Sequence, residues 1–163
     1  MMSRFAFALS AFGILLAPAA AFAAGPQRSP IETIELLHTA FRNADLKLVD
    51  SLLPAEYHGV SLQGALDHRH IYIETRAKAL SDIAGLQRGE WDVRILSSST
   101  QIDPAGMAHV WAHYVFYFKG KPDHCGYESY GLYHTAEGWK VVSFMDTDNP
   151  LKGRSVEEVC PAQ

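Results

Sequence analysis

Several features are scarce in this 163-residue sequence. Beyond the first 23 residues it has no apolar run long enough to cross a bilayer, and after residue 28 no repeat, low-complexity segment or interdomain linker. Basic residues are outnumbered, 14 against 18 acidic, for a net charge of -4. That balance argues against nucleic acid as a partner. Metal-binding signatures are also missing. There is no H-x-x-x-H helix and no C-x-x-C pair; His68 and His70 stand two apart, and His109 and His113 on one strand would lie about 13 Å apart. A scavenger of metal or heme would have to draw its ligands from separate elements, so no metal site is assigned.

The start of the chain is informative. Met1 to Arg4 is short and positive, Phe5 to Leu16 is apolar, and Ala21-Phe22-Ala23 is a small-x-small cleavage site. This is the pattern of a secretory signal peptide, residues 1–23, which would deliver the protein outside the cytoplasm, in the periplasm. A leader, residues 24–29, one domain, residues 30–148, and a tail, residues 149–163, would follow. The only two cysteines, Cys125 and Cys160, then meet an oxidising compartment and are expected to pair. Their loop would restrict the unfolded chain by roughly 3 to 4 kcal/mol.

Ser29-Pro30 with Glu32 announces a helix to about Arg42, with Ile34, Leu37 and Phe41 on its buried stripe. Asn43 or Asp45 caps a second, shorter helix carrying Leu48, Val49, Leu52 and Leu53, and Pro54 ends it. A short strand from Tyr57 to Leu62 is followed, after Gly64, by a predicted third helix from His68 to Ile83, its stripe Ile73, Ala77, Leu80 and Ala84. Trp91 to Ile102 reads as a strand with Trp91, Val93 and Ile95 on one face. Three more follow, about Met107 to Phe118, Cys125 to His134 and Trp139 to Asp146, rich in Tyr, Phe, Trp and Val. The fold class is therefore α+β, a strongly curved antiparallel sheet covered by three N-terminal helices.

This order of elements resembles the nuclear-transport-factor-2-like superfamily, which includes ketosteroid isomerase-like, scytalone dehydratase-like and SnoaL-like proteins. The likeness spans about Pro30 to Thr147. It is carried by Asn43-Ala44-Asp45 with Leu48, Val49 and Leu52, by Gln63-Gly64, and by Glu137-Gly138-Trp139-Lys140-Val141-Val142-Ser143. It implies a cone with a pocket inside, a homodimer through the outer face of the sheet, and cofactor-free proton-transfer chemistry in many members. The sequence departs from the isomerase pattern at the short strand. Where those relatives carry a catalytic carboxylate, this chain has His58 and Ser61, with Glu56 before them and Gly59 between.

Acid–base work needs a base poised near neutral pH and a donor for developing negative charge. His113 with Tyr117, and Glu128 with Tyr130, are the candidate pairs; His113 and Glu128 are the candidate catalytic groups. Tyr117, Tyr130, Trp111, His58 and Asp146 are the candidate binding residues. Asp146 is alternatively a salt-bridge partner for Arg69 or Arg76, and His124 reads as an exposed turn residue. The pocket is expected to be poor in anions and to take a small apolar or aromatic molecule. Because the strands are apolar on both sides, the pattern leaves open which face is inward. A second reading keeps the same fold but fills the cavity with its own aromatic side chains, making a dimeric binding or assembly module.

Overall fold

The computed structural model describes residues 27–161; the signal-peptide expectation falls on residues outside them. Helix α1, Pro30–Asn43, starts as its sequence predicts. The Ser29 hydroxyl accepts from the Glu32 backbone N–H while Glu32 Oε2 accepts from the Ser29 N–H at 2.6 Å, a reciprocal capping box. Helix α2, Leu46–Leu52, is capped by Asp45, whose Oδ1 accepts from Leu48 N at 3.1 Å. The two helices bury Ile34, Leu37, Val49 and Leu52 against the sheet, and each such side chain removed from water contributes about 1.5 to 3 kcal/mol.

Six strands form one sheet: β1, His58–Gln63; β2, His70–Thr75; β3, Trp91–Ile102; β4, Met107–Phe118; β5, Lys121–Thr135; and β6, Gly138–Pro150. Their order is β2-β1-β6-β5-β4-β3. All neighbours are antiparallel except β1 and β6, which run parallel, so the sheet is not purely antiparallel as expected. Helix α1 packs on β3, β4 and β6, closing one side of the hollow.

The predicted third helix is the main correction. Its first part is β2, paired antiparallel to β1, and only Arg76–Ala84 is helical, as α3. The stretch Ile71-Tyr72-Ile73-Glu74 alternates outward and inward, a strand period. Ile73 is consequently 69% exposed instead of lying on a buried helical stripe. Thr75 caps the helix, and its inward residues are Ala79 and Ile83.

The turn between β4 and β5 is tighter than the sequence reading. Lys119 and Gly120 both have positive φ, 49° and 77°, the requirement of a two-residue hairpin that matches strand twist. Beyond β6 the chain is folded back by the Cys125–Cys160 disulfide, expected from the sequence. Val115, Cys125, Leu151 and Cys160 make a small second core there, with Val156 and Val159 of helix α4, Val156–Val159, packed on it.

Candidate functional site

Strand register decides which residues can meet. His113 pairs with Tyr127 and Ala112 with Glu128, so His113 and Glu128 must lie on opposite faces of the sheet. Glu128 pairs directly with Asp146 across β5 and β6, so these two carboxylates share a face. That face carries Tyr114 and Phe116 from β4 and is the inner one.

The hollow is a cavity of about 370 Å³, within the range of small-molecule sites. Aromatic rings from Phe41, Trp91, Tyr114, Phe116, Tyr130 and Phe144 form much of its wall. Five carboxylates also line it, Glu74, Asp82, Glu128, Asp146 and Asp148, and among the described residues no lysine or arginine does. The expectation of an anion-poor pocket is thus reversed. Glu74 escaped the sequence reading because it was placed on a helix; as a strand residue it alternates inward with Tyr72.

Glu128 and Asp146 are the centre of the site. Glu128 is 3% and Asp146 8% exposed. Glu128 Oε2 and Asp146 Oδ1 have no hydrogen-bond partner in the protein. Burial pushes the Glu128 carboxyl well above the usual range and the neighbouring Asp146 charge pushes it further, against the Tyr130 hydroxyl, which favours the ionised form. Burial likewise raises Asp146, while Ser61 and Tyr114 hydroxyls favour its carboxylate. The Tyr114 hydroxyl donates to Asp146 Oδ2 at 3.0 Å. Asp146 therefore pairs with neither Arg69, which reaches Asn149, nor Arg76, which caps α2 through the Leu53 carbonyl.

A buried histidine was missed. His38 of α1 lies 2.8 Å from the Tyr130 hydroxyl and 3.7 Å from Glu128 Oε2. Burial lowers its pKa to about 3, so it is neutral throughout the working pH range. With its proton on Nε2, His38 donates to the Tyr130 oxygen and leaves the Tyr130 O–H free to donate in turn. The signal for it was present: His38 follows Ile34 by four residues, on the same helical stripe. A second, partly buried pair lines the cavity toward β2, where the Tyr57 hydroxyl donates to Glu74 Oε1 at 2.7 Å. Burial raises the pKa of both groups.

The remaining sequence candidates lie elsewhere. His113 is on the outer face, its ring stacked on Tyr127 with centroids 4.8 Å apart. Trp111 stacks on the other side of that row, 5.4 Å from Tyr127, and is 43% exposed. Tyr117 is also outside, its ring covered by the Arg94 guanidinium at 4.0 Å. His58 is exposed at the start of β1. In each case the side chain has the outward parity of its strand or lies at the sheet's end, so none lines the cavity. His124 moves the opposite way. Instead of facing solvent, it lines the hollow, stacks on Phe116 at 4.6 Å and sits 3.7 Å from Asp148. Among the described residues no three His, Cys, Asp or Glu side chains are grouped to hold a metal ion.

A curved sheet with helices across its hollow and a walled cavity defines the nuclear-transport-factor-2-like fold, also called cystatin-like. Solved structures match this fold over about three quarters of the chain. A protein of this fold from Novosphingobium aromaticivorans superposes with a TM-score of 0.56 at 13% identity, over 78% of this chain and 82% of its own. A Rhodospirillum rubrum protein, of unknown function in nutrient uptake, gives 0.55 at 17% identity, over 74% and 98%. A candidate dehydratase from Streptomyces avermitilis gives 0.55 at 13%, over 72% and 91%. Neither protein-family models nor curated proteins match the chain.

Proposed function

We propose that this chain is an exported, single-domain, small-molecule-binding protein whose cavity supports cofactor-free acid–base chemistry on an apolar or aromatic substrate, of isomerase, dehydratase or lyase type. One observation carries it: two directly paired carboxylates, Glu128 and Asp146, buried in an aromatic-walled cavity of about 370 Å³, each with an oxygen that nothing in the protein satisfies. Coupled carboxyls of raised pKa share protons, so one can act as acid while the other is ionised as base. Tyr130, held by neutral His38, is the donor placed to meet negative charge developing on a substrate oxygen. Export rests on the N-terminal signal pattern, and among the described residues no helix is long and apolar enough to cross a membrane.

The unpaired outer face favours association as a homodimer through the sheet. Leu96, Met107, Trp111, Tyr133 and Met145 are exposed there or at its margins.

Solvent-deuterium exchange at the α-carbon of an enolisable aromatic ketone such as 1-indanone, followed by NMR, tests the chemistry. Glu128→Gln should cut catalysed exchange by about 100-fold or more, in the range of a lost general acid–base group. His113→Gln, on the other face, should leave it within twofold. Equal exchange in both variants, or none by the wild type, removes the acid–base assignment.

A further inference from the structure

The cavity lining holds an excess of negative groups, and among the described residues no lysine or arginine lines it. Five carboxylates face it from β1's neighbour β2, from α3, β5 and β6, and the one lining side chain able to become cationic is His124. Asp82 is engaged by Lys78 on its own helix, Glu74 by Tyr57, and Asp148 lies near His124. His124, when protonated, favours the Asp146 carboxylate, but no lysine or arginine among the described residues lines the cavity beside Glu128 and Asp146. They face each other across the sheet with Cβ atoms about 5 Å apart. Each keeps a buried oxygen unpaired, which is costly unless a donor enters. The same cavity is lined by Trp91, Phe116, Tyr114, Tyr130 and Phe144. Aromatic faces attract cations through the ring quadrupole, and more strongly where water is excluded. No three potential metal ligands are grouped among the described residues, so the carboxylates do not gather around a point ion.

We propose that the ligand of this cavity is an organic cation, an aromatic or apolar molecule carrying a protonated amine, whose N–H groups donate to Glu128 Oε2 and Asp146 Oδ1 while its hydrocarbon part packs on the aromatic wall. The inference rests on the reading of the cavity as a small-molecule site and specifies the class that enters it. An anionic ligand would meet five carboxylates with no lining lysine or arginine among the described residues, and a neutral one would bring no positive charge to offset them. Entry of the cation also releases protons. Without a ligand, burial and the Asp146 charge favour the protonated Glu128 carboxyl; neutral His38 on α1, Tyr130 on β5, Tyr114 on β4 and Tyr57 before β1 add no positive charge, and His124 on β5 is the one lining group that can. Glu74 on β2 and Asp148 on β6 add negative charge.

Three probes of one shape test this by isothermal titration on the wild-type protein at pH 7: tryptamine, its neutral analogue tryptophol, and indole-3-acetate. Tryptamine should bind at least about tenfold more tightly than tryptophol, and indole-3-acetate most weakly. The tryptamine heat should vary with buffer ionisation enthalpy in the sense of proton release, and the tryptophol heat should not. The double variant Glu128→Gln, Asp146→Asn should bring tryptamine and tryptophol within about twofold while still binding tryptophol, which shows it folded. Tryptophol or indole-3-acetate binding as tightly as tryptamine overturns the cation class and leaves the small-molecule site standing. Failure of all three at millimolar concentration overturns both.

Discussion

Glu128→Gln should make the ligand-free protein more stable at neutral pH, and the gain should grow with pH. Glu128 is 3% exposed, its Oε2 unpaired, and its carboxyl is raised by burial and by Asp146. The folded protein therefore keeps a proton that the unfolded chain has released. Stability from this group is full below the unfolded carboxylate range, near pH 4, and is lost as pH rises toward the raised folded value. The loss amounts to at most about 1.36 kcal/mol per pH unit between the unfolded and the raised folded value. Glutamine has the same shape and cannot ionise, and its amide can donate to Asp146 Oδ1. Urea unfolding at half-unit steps from pH 4 to 8 reads the difference directly. Wild type and variant should coincide near pH 4 and diverge above pH 5, and the melting temperature should rise by roughly 3 to 5 °C per kcal/mol gained. A variant whose stability deficit grows with pH, or whose pH slope matches the wild type, would refute the reasoning.

Three further outcomes follow from the packing. A Cβ at Gly126 would lie 1.8 Å from the Thr147 carbonyl oxygen, a backbone atom that cannot move aside, so Gly126→Ala should cost about 3 kcal/mol or more in denaturant unfolding. Reducing the Cys125–Cys160 bond, which closes a separation of 35 residues, should cost about 3 kcal/mol, seen as a lower melting temperature in reductant. Trp111→Glu should shift a dimer toward monomer in sedimentation, with the isolated subunit's stability changed by less than about 0.5 kcal/mol because the side chain is already exposed.

The elements with local signals were legible in the sequence. Ser29, Pro30 and Glu32 announced α1, Asp45 was one of two caps read for α2, and the Tyr- and Val-rich strands separated by turns gave the meander. The disulfide was expected from two cysteines and an N-terminal pattern that reads as an export signal. What escaped was non-local. Residues 70–75 sit directly before a helix-forming run, Arg76-Ala77-Lys78-Ala79-Leu80, and their two-residue period reads as strand only once β1 is there to pair with. The inward face of β4 could not be chosen because both its sides are apolar, and parity between strands depends on a register that no local pattern records. That is why His113 and Glu128 were both candidates, although pairing of His113 with Tyr127 sends them to opposite faces. The carboxylate departure at β1 was read correctly from residues 56–61. The carboxylates of the cavity come instead from β2, α3, β5 and β6.

The central claim is that small molecules enter the hollow beside Glu128 and Asp146. Methyl-labelled protein titrated with the three indole probes and followed by two-dimensional NMR tests it most directly. The methyls of Leu37, Val60, Ile83 and Val93, which line the cavity, should shift with saturation, while those of Ile71, Leu96 and Ile102, exposed outside it, should stay in place. Shifts confined to the exposed methyls, or cavity methyls unmoved at probe concentrations that saturate binding, would contradict it.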